Sequence, residues 1–401
     1  MKSPFKVIAA SGLLAGLFLA GQATSKTMLD LTTVACGQTL TQSVKVANDL
    51  TNCPDNGLVV GRDGITIDLN GHTVDGQSLI KPGTGGIANE GHSGVTVENG
   101  TITDFYFAAV YVGPRNVVRN LTVRKIGSGC KQGDICAGIF LFHAAKATVI
   151  GNHVSSTTAR VQVNGIDVYA SPGVRVERNR VSRNAGDGMS VFQSQGARIV
   201  GNRVDGNRDI GIQVNEGSDS VLVMSNRVSG NRNTGIAVGA SRRARVLDNT
   251  ITGSSEVGLL LFNLPGGLIR GNHAFGNWDG IGLYGGQVGV AGLGGPQQGS
   301  RGNRLVGNSA THNRHGGIWI KGDSHKFSVD RNLISGNVAS VNGRAGGLVL
   351  DGNVRDNKLR GNKANSNAGR GIDARHGAID AGGNRARGNR RKPQCLGVRC
   401  A

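Results

Sequence analysis

The sequence predicts an all-β solenoid, in which the chain winds into a stack of similar coils. A glycine followed by alternating apolar residues recurs every 22 to 24 residues, at Gly165, Gly188, Gly211, Gly235, Gly258 and Gly280. An Asn-X-apolar pattern keeps the same period, at Asn179, Asn202, Asn226, Asn249 and Asn272. Few stretches show the apolar period of a helix, and the 66 glycines do not recur every third residue as in collagen. Short strands repeating with a period in the low twenties are typical of one coil per copy.

Each copy predicts two or three short strands, one after the glycine, one near Val174–Val176 and one at the Asn-X-apolar pattern. Weaker copies at Ala109, Gly138, Gly317, Gly347 and Gly371 bring the number of coils to roughly eleven. Side chains alternate along a strand, which predicts these inward pairs: Ile166/Val168, Met189/Val191, Ile212/Val214, Ile236/Val238, Leu259/Leu261, Ile281/Leu283, Ile318/Ile320, Leu348/Leu350 and Ile372/Ala374. Asparagine tolerates left-handed corners, and its amides can stack from coil to coil. A row of ligand-binding asparagines is the weaker interpretation.

Residues 1–23 have the pattern of a secretory signal, which predicts a secreted or periplasmic protein. Lys2 and Lys6 precede an apolar run, and Gly21-Gln22-Ala23 offers a small-residue cleavage site. The run is shorter than the ~20 residues of a membrane-spanning helix, so we expect no transmembrane anchor. Residues 24–60 are then an N-terminal cap, residues 61–390 the solenoid and residues 391–401 a closing tail.

The six cysteines fall into three local pairs, Cys36 with Cys53, Cys130 with Cys136 and Cys395 with Cys400. Six cysteines allow 15 pairings, and proximity favours this one. No Cys-X-X-Cys spacing exists, and an oxidising compartment favours disulfides over metal binding.

Repeats such as NRVSGNRNTGIAV resemble those of right-handed parallel β-helix proteins. This is the pectate-lyase-like superfamily, with carbohydrate-binding and sugar-hydrolase repeats that periplasmic NosD-type proteins share. The likeness covers roughly residues 61–390 and implies the fold. It does not imply one activity, because lyases, hydrolases, epimerases, tailspikes and adhesins all use such coils.

The positions two and four after each leading glycine are expected to face outward, where this family often carries its active site. These 22 positions hold eight of the 14 aromatic residues that remain after signal removal. A row of rings suits the faces of sugars, whereas the alternative is an aromatic ladder covered by a loop or partner. The predicted substrate-binding residues of this stripe are Tyr111, Phe140, Phe142, Phe192, Gln213, Asn215, Phe262, Tyr284, Trp319, Lys321 and Arg375.

Two groups on the stripe are catalytic candidates. The first joins His143, Asp167 and Tyr169 with Ser190, an acid, a base and a phenol that suit proton abstraction beside a uronate carboxylate. A solvated aspartate beside stacked aromatic rings is the simpler interpretation of this group. The second is Lys321, Asp351 and Arg375, for which a ladder of stacked ion pairs is the simpler interpretation. Asp187 and Asp209 form a fainter carboxylate pair in corner sequences, where aspartate is common for turn reasons.

The sharp motifs of the family's enzymes are missing, including the Asp-Pro-His-Asp of mannuronan epimerases and the motif set of polygalacturonases. We predict no metal site and no cofactor. Calcium and copper stay open, the latter through His312, His315 and His325, although scattered surface histidines are the simpler interpretation.

Charge completes the functional expectation. Loss of Lys2 and Lys6 with the signal lowers the formal charge from +19 to +17, which favours an anionic polysaccharide or the cell envelope as partner. No nucleic-acid module is present. We therefore expect a secreted protein that binds a polysaccharide, most simply an acidic one, with lyase or epimerase activity as an open extension. The alternative is a non-catalytic, NosD-like scaffold of the periplasm or cell surface.

Overall fold

The computed structural model describes residues 29–77, 83–89, 91–155, 161–286, 299–323 and 327–401. The predicted signal, residues 1–23, and His325 lie outside this part. The described residues form 42 strands and no helix, and every strand pair is parallel. Among the described residues, therefore, no helix could span a membrane.

One face of the solenoid is a sheet with one strand per coil. Its strands start at the glycine-led pattern and pair in chain order. They are β2 (Gln38–Leu40), β5 (Leu58–Val60), β8 (Gly85–Ala88), β10 (Ala108–Val112), β12 (Ala137–Phe142), β15 (Asn164–Tyr169), β18 (Met189–Phe192), β21 (Ile212–Asn215), β24 (Ile236–Gly239), β27 (Val257–Phe262), β30 (Asp279–Tyr284), β34 (Gly316–Lys321), β37 (Gly346–Asp351), β40 (Ile372–Asp373) and β42 (Cys395–Leu396). We call this sheet the front sheet.

The remaining faces belong to a 24-stranded sheet, in which two runs of strands are joined through the long strands β9 and β11. Its strands are β1 (Leu31–Thr32), β3 (Val44–Val46), β4 (Leu50–Cys53), β6 (Thr66–Asp68), β7 (Thr73–Gly76), β9 (Thr96–Thr103), β11 (Val117–Arg124), β13 (Thr148–Ile150), β14 (His153–Ser155), β16 (Arg175–Glu177), β17 (Arg180–Ser182), β19 (Arg198–Val200), β20 (Arg203–Asp205), β22 (Leu222–Met224), β23 (Arg227–Ser229), β25 (Arg245–Leu247), β26 (Thr250–Thr252), β28 (Leu268–Arg270), β29 (His273–Phe275), β32 (Arg304–Val306), β33 (Ser309–Thr311), β36 (Leu333–Ser335), β39 (Asn357–Arg360) and β41 (Ala378–Asp380). A small third sheet contains β31 (Ser300–Arg301), β35 (Val329–Asp330) and β38 (Val354–Arg355).

The predicted fold class is confirmed, and the predicted inward pairs form its core. Ile166 pairs with Met189 and Val168 with Val191 in register, and all four side chains are at most 1% exposed. The front sheet holds 15 described strands, more than the roughly eleven coils expected. The extra ones are β2, β5, β8 and β42, which lie before the first copy counted in the sequence, at Ala109, or after the last, at Gly371.

The repeating asparagines form a buried ladder. The side-chain Nδ2 of Asn179 donates to Oδ1 of Asn202 at 3.1 Å, and Asn202 donates likewise to Asn226 at 3.0 Å. Stacked amides were expected, but the left-handed corner was assigned to the wrong residue. The residue before the asparagine takes the positive φ, as at Arg178 and Ser225. The asparagine is thereby free to turn its amide inward, where it satisfies backbone groups that would otherwise be unpaired.

All three predicted disulfides are present, Cys36–Cys53, Cys130–Cys136 and Cys395–Cys400. The first and last lie near the ends of the stack. The middle one closes a short loop at the edge of the front sheet, between β11 and β12.

Candidate active site

A partly exposed aromatic cluster lies on the outer face of the front sheet at β10, β12 and β15, with the predicted substrate-binding residue Phe140 buried within it at 6% exposed. It consists of Phe107, Tyr111, Phe140, Phe142 and Tyr169. Phe142 stacks between Phe140 and Tyr169, with ring centroids 6.2 and 5.8 Å apart and planes within 16° of parallel. Phe142 and Tyr169 are 38% and 36% exposed. Strand register imposes the stacking, because Phe142 and Tyr169 are direct neighbours on adjacent strands.

The rest of the predicted stripe is less exposed than the sequence suggests. Phe192 is the register neighbour of Tyr169 and is half-buried, and Gln213 is 5% exposed. Asn215 is fully buried and Phe262 is 2% exposed, so neither belongs to an open platform. The remaining members are half-buried Tyr284 and Trp319 and exposed Lys321 and Arg375.

The first catalytic group is divided by the structure. The ring of His143 packs edge-on against Phe142, with centroids 4.2 Å apart, and borders a cleft of about 560 Å³ beside the aromatic cluster. Asp167 instead borders a second cleft, of about 670 Å³, together with Ser190 and Phe192. The two clefts are distinct parts of the same outer face.

The second cleft brings together three carboxyl groups from successive coils. Asp167 lies on β15, while Asp187 and Asp209 precede β18 and β21, and all three border the cleft. We call it the acidic cleft. The loop closed by the Cys130–Cys136 disulfide supplies part of its wall, including Lys131 and Asp134. Phe192 and Gln213 also border it, so the stripe leads from the aromatic cluster into the cleft.

Side-chain amides hold the carboxylates in place. Asn164 Nδ2 donates to Asp167 at 3.2 Å, and Asn164 Oδ1 accepts from the backbone N–H of Asp187 at 2.9 Å. Asp187 accepts from the backbone N–H of Ile210 at 2.9 Å. Asp209 accepts from two amides, those of Gln162 at 2.7 Å and Asn233 at 3.0 Å.

The three carboxyl groups have different surroundings, which act differently on their pKa values. Burial raises the pKa of Asp167 to about 6, against hydrogen bonds from Asn164 and Ser190. Burial also holds the pKa of Asp187 well above its usual range, and the neighbouring carboxylates of Asp209 and Asp167 raise it further. Burial raises the pKa of Asp209, opposed by the hydrogen bond from Asn233. Such carboxyl groups can hold a proton near neutral pH and give it up in a reaction.

Asp209 and His315 are separate candidates in the sequence, and the column of residues to which both belong was missed there. It lies two positions before each leading glycine and contains Asp209, Asn233, Glu256, Trp278 and His315. Each backbone N–H in this column donates to the preceding member's carbonyl, from Asn233 to Asp209 at 3.3 Å through to His315 and Trp278 at 2.8 Å. Reading the repeat alignment backward from the glycine, as well as forward, would have found these residues.

The other predicted groups are arranged differently. Lys321 and Asp351 are register neighbours, but Arg375 pairs at 2.9 Å with Asp373, two residues before it at the end of β40. Among the described histidines of the copper hypothesis, His312 is exposed and His315 Nδ1 bonds Asp279 at 2.9 Å.

The described residues bring one set of three potential metal ligands within 4.8 Å of each other, Cys130, Asp134 and Cys136. Its two sulfurs form a disulfide and cannot act as thiolate ligands, so this group does not fit a metal ion.

Comparison with known proteins supports the architecture. The family model described as the right-handed beta helix region matches residues 46–222 and 194–340, which together span well over half of the chain. No curated protein sequence matches the chain.

Solved structures of similar fold include the Dettilon tailspike protein, at a TM-score of 0.51 and 14% identity, covering 76% of this chain and 61% of that one. The periplasmic alginate epimerase AlgG gives a TM-score of 0.50 at 15% identity, covering 79% of this chain and 76% of that one. This chain thus spans less than two thirds of the tailspike. Likeness at these identities shows the fold alone.

Proposed function

The chain belongs to the right-handed β-helix family, and from that premise we propose that it binds a polysaccharide along the front sheet and cleaves glycosidic bonds in the acidic cleft. The three disulfides suit an oxidising compartment, so the proposal places the protein outside the cytoplasm, secreted or periplasmic. Structural neighbours named as a tailspike and an alginate epimerase are in keeping with a carbohydrate partner.

The observation that carries the proposal is the convergence of Asp167, Asp187 and Asp209 in one cleft with unequal environments. Asp187 is 7% exposed and burial holds its pKa well above the usual range, so it suits the proton donor to the glycosidic oxygen. Asp209 accepts hydrogen bonds from two side-chain amides and suits the base that activates water. Asp167 is the third carboxyl group of the same cleft. Two carboxyl groups of different acidity are what glycoside hydrolysis requires.

The lining of the cleft favours hydrolysis over attack on a uronate. A lyase or epimerase would need a cation beside the sugar carboxylate, and Lys131 is the cation among the described residues that border the cleft. Lys131 is exposed and shares the lining with four carboxyl groups, those of Asp134, Asp167, Asp187 and Asp209. Lyase or epimerase chemistry is therefore the alternative. The chemical nature of the product distinguishes it from hydrolysis.

The test compares the wild type with Asp187→Asn and Asp209→Asn on alginate, pectate and neutral glucans. We expect the wild type to produce new reducing ends without absorbance at about 235 nm, the absorbance of unsaturated products. The rate of cleavage should fall about 100-fold or more in each variant, which is the size of a general acid or base contribution. Asp205→Asn, on β20 of the other sheet, is the matched control and should retain activity. Absorbing, unsaturated products would establish the lyase alternative, and equal activity in all variants would exclude the acidic cleft.

A row of arginines favours a second function, attachment to an anionic polymer of the envelope, as in the scaffold alternative. Arg180, Arg203 and Arg227 are exposed register neighbours on β17, β20 and β23. Like charges facing each other across strands are destabilising, and an anionic polymer would relieve this repulsion. Alginate binding should then weaken steeply between low salt and 1 M salt, where the Debye length is ~3 Å. Arg203→Gln should reduce that salt dependence, and affinity unchanged by salt would contradict the attachment.

A further inference from the structure

We propose that Trp278, His315 and Trp319 form a second sugar-binding subsite, which holds the same glycan chain that the acidic cleft acts on. The inference rests on the proposed function for the identity of the glycan. It adds a binding site at the start of β30 and β34, away from the three carboxylates. It also requires a glycan long enough to reach from the cleft to this site.

The three rings form a continuous stack. The His315 ring lies between the two indoles, with centroids 5.4 Å from Trp278 and 5.9 Å from Trp319 and planes within 12° of parallel. Asp279 fixes the stack from below, since its Oδ1 bonds His315 Nδ1 at 2.9 Å and accepts from Trp319 Nε1 at 3.1 Å. A site held rigid before binding loses little conformational entropy when a ligand arrives.

The exposure of the stack argues against a purely structural role. Trp278 is 47% exposed and the His315 side chain 40%, whereas Asp279 beneath them is largely buried. Rings that only stabilised the coil would be covered, as Phe262 is at 2% exposed. The exposed half of the Trp278 indole offers apolar aromatic surface to the C–H groups of a sugar.

A ladder of backbone hydrogen bonds connects the stack to the acidic cleft. Backbone hydrogen bonds run from Asp209 through Asn233 and Glu256 to Trp278, one coil at a time. These three steps of ~4.8 Å place Trp278 about 14 Å from Asp209 along the helix axis. Exposed Glu256 and half-buried Asn233 lie between them and offer polar groups to sugar hydroxyls. The occupant is therefore an oligosaccharide that lies along the axis, with one end in the cleft and a ring on the stack.

The chain itself provides a specific probe, because Trp278 and Trp319 are its two tryptophans. Tryptophan emission, excited selectively over the four tyrosines, thus reports on the subsite. We would titrate the Asp187→Asn protein with disaccharides and hexasaccharides prepared from pectate, alginate and neutral glucans. We expect one hexasaccharide to change the tryptophan emission with saturation, and its disaccharide to bind at least tenfold more weakly.

Variants separate the inference from the function it rests on. Trp278→Ala in the otherwise wild-type chain should raise KM for the polymer several-fold with little change in kcat. Phe275→Ala, an equally exposed ring (46%) on β29 of the other sheet, should change neither. Polymer cleavage with an unchanged KM in Trp278→Ala and no fluorescence response would overturn the subsite alone. Saturable fluorescence without any cleavage would overturn the hydrolysis and retain the subsite.

Discussion

Phe142, Tyr169 and Phe262 occupy the same position of the coil, four residues after the leading glycine, and yet have opposite environments. Phe142 and Tyr169 are 38% and 36% exposed and stack on each other, whereas Phe262 is 2% exposed. The neighbours decide the difference. Phe262 lies over Gly239, its register partner, and packs with Ile210, Ala237 and Leu260. One part of the stripe is thus a surface that can bind a ligand, and the other is a covered cluster that stabilises the coils.

The largest expected effect is in the covered part. Phe262→Ala should lower the free energy of unfolding by about 3 kcal/mol, as for other buried large-to-small changes. Polysaccharide binding should be unchanged, because Phe262 offers no open face. The denaturation midpoint and the affinity would be measured on the same preparation, and a stable variant with weakened binding would reverse the two roles.

Gly239→Ala should destabilise the same cluster by a smaller amount. A Cβ at this position would collide with the Phe262 ring, and overpacking of this kind costs about 1–3 kcal/mol. The double variant Gly239→Ala/Phe262→Ala provides the control, because removing the ring removes the collision. If Gly239→Ala costs as much in the Phe262→Ala background as in the wild type, the packing explanation fails.

In the exposed part, Tyr169→Ala should leave the melting temperature nearly unchanged, since surface substitutions usually alter stability by less than about 0.5 kcal/mol. The inward Ile166 and Val168 stay in place beneath it. We expect several-fold weaker polysaccharide binding, measured by calorimetry or affinity electrophoresis. A large loss of stability with unchanged binding would assign Tyr169 to a structural ladder instead.

The same contrast explains how much could be read from the sequence. The repeat period predicts the coils, the inward pairs and the stacked asparagines, because each depends on residues that recur at a fixed position. Local spacing likewise suffices for the three disulfides. The functions of residues on the outer face depend on which side chains contact one another across neighbouring coils. The repeat period does not determine these contacts.

The acidic cleft and the tryptophan stack show this limit most clearly. Asp187 and Asp209 look like ordinary corner residues, and the structure places them in a cleft whose lining includes the distant loop at Cys130–Cys136. His315 suggested a metal ligand, but register places it between two indoles. His143 was grouped with Asp167, and the edge contact with Phe142 turns its ring toward the neighbouring cleft.

The central claim, that burial in the cleft raises the pKa of Asp187 and suits it to donate a proton, can be tested without knowing the glycan. A carboxyl group whose folded pKa is raised contributes its full stability below the unfolded pKa of about 3.9 and loses it as the pH rises through the folded value. For half-buried Asp167, with a pKa of about 6, that loss is on the order of 3 kcal/mol.

The decisive measurement is the denaturation midpoint of the wild type and of Asp187→Asn between pH 5 and pH 8. The wild type should lose stability as the pH rises, because Asp167 and Asp187 are forced to ionise in a buried site. Asp187→Asn should be more stable than the wild type at pH 8 and should show a distinctly smaller loss. Parallel pH profiles for the two proteins would show that Asp187 is ionised throughout and would contradict its role as proton donor.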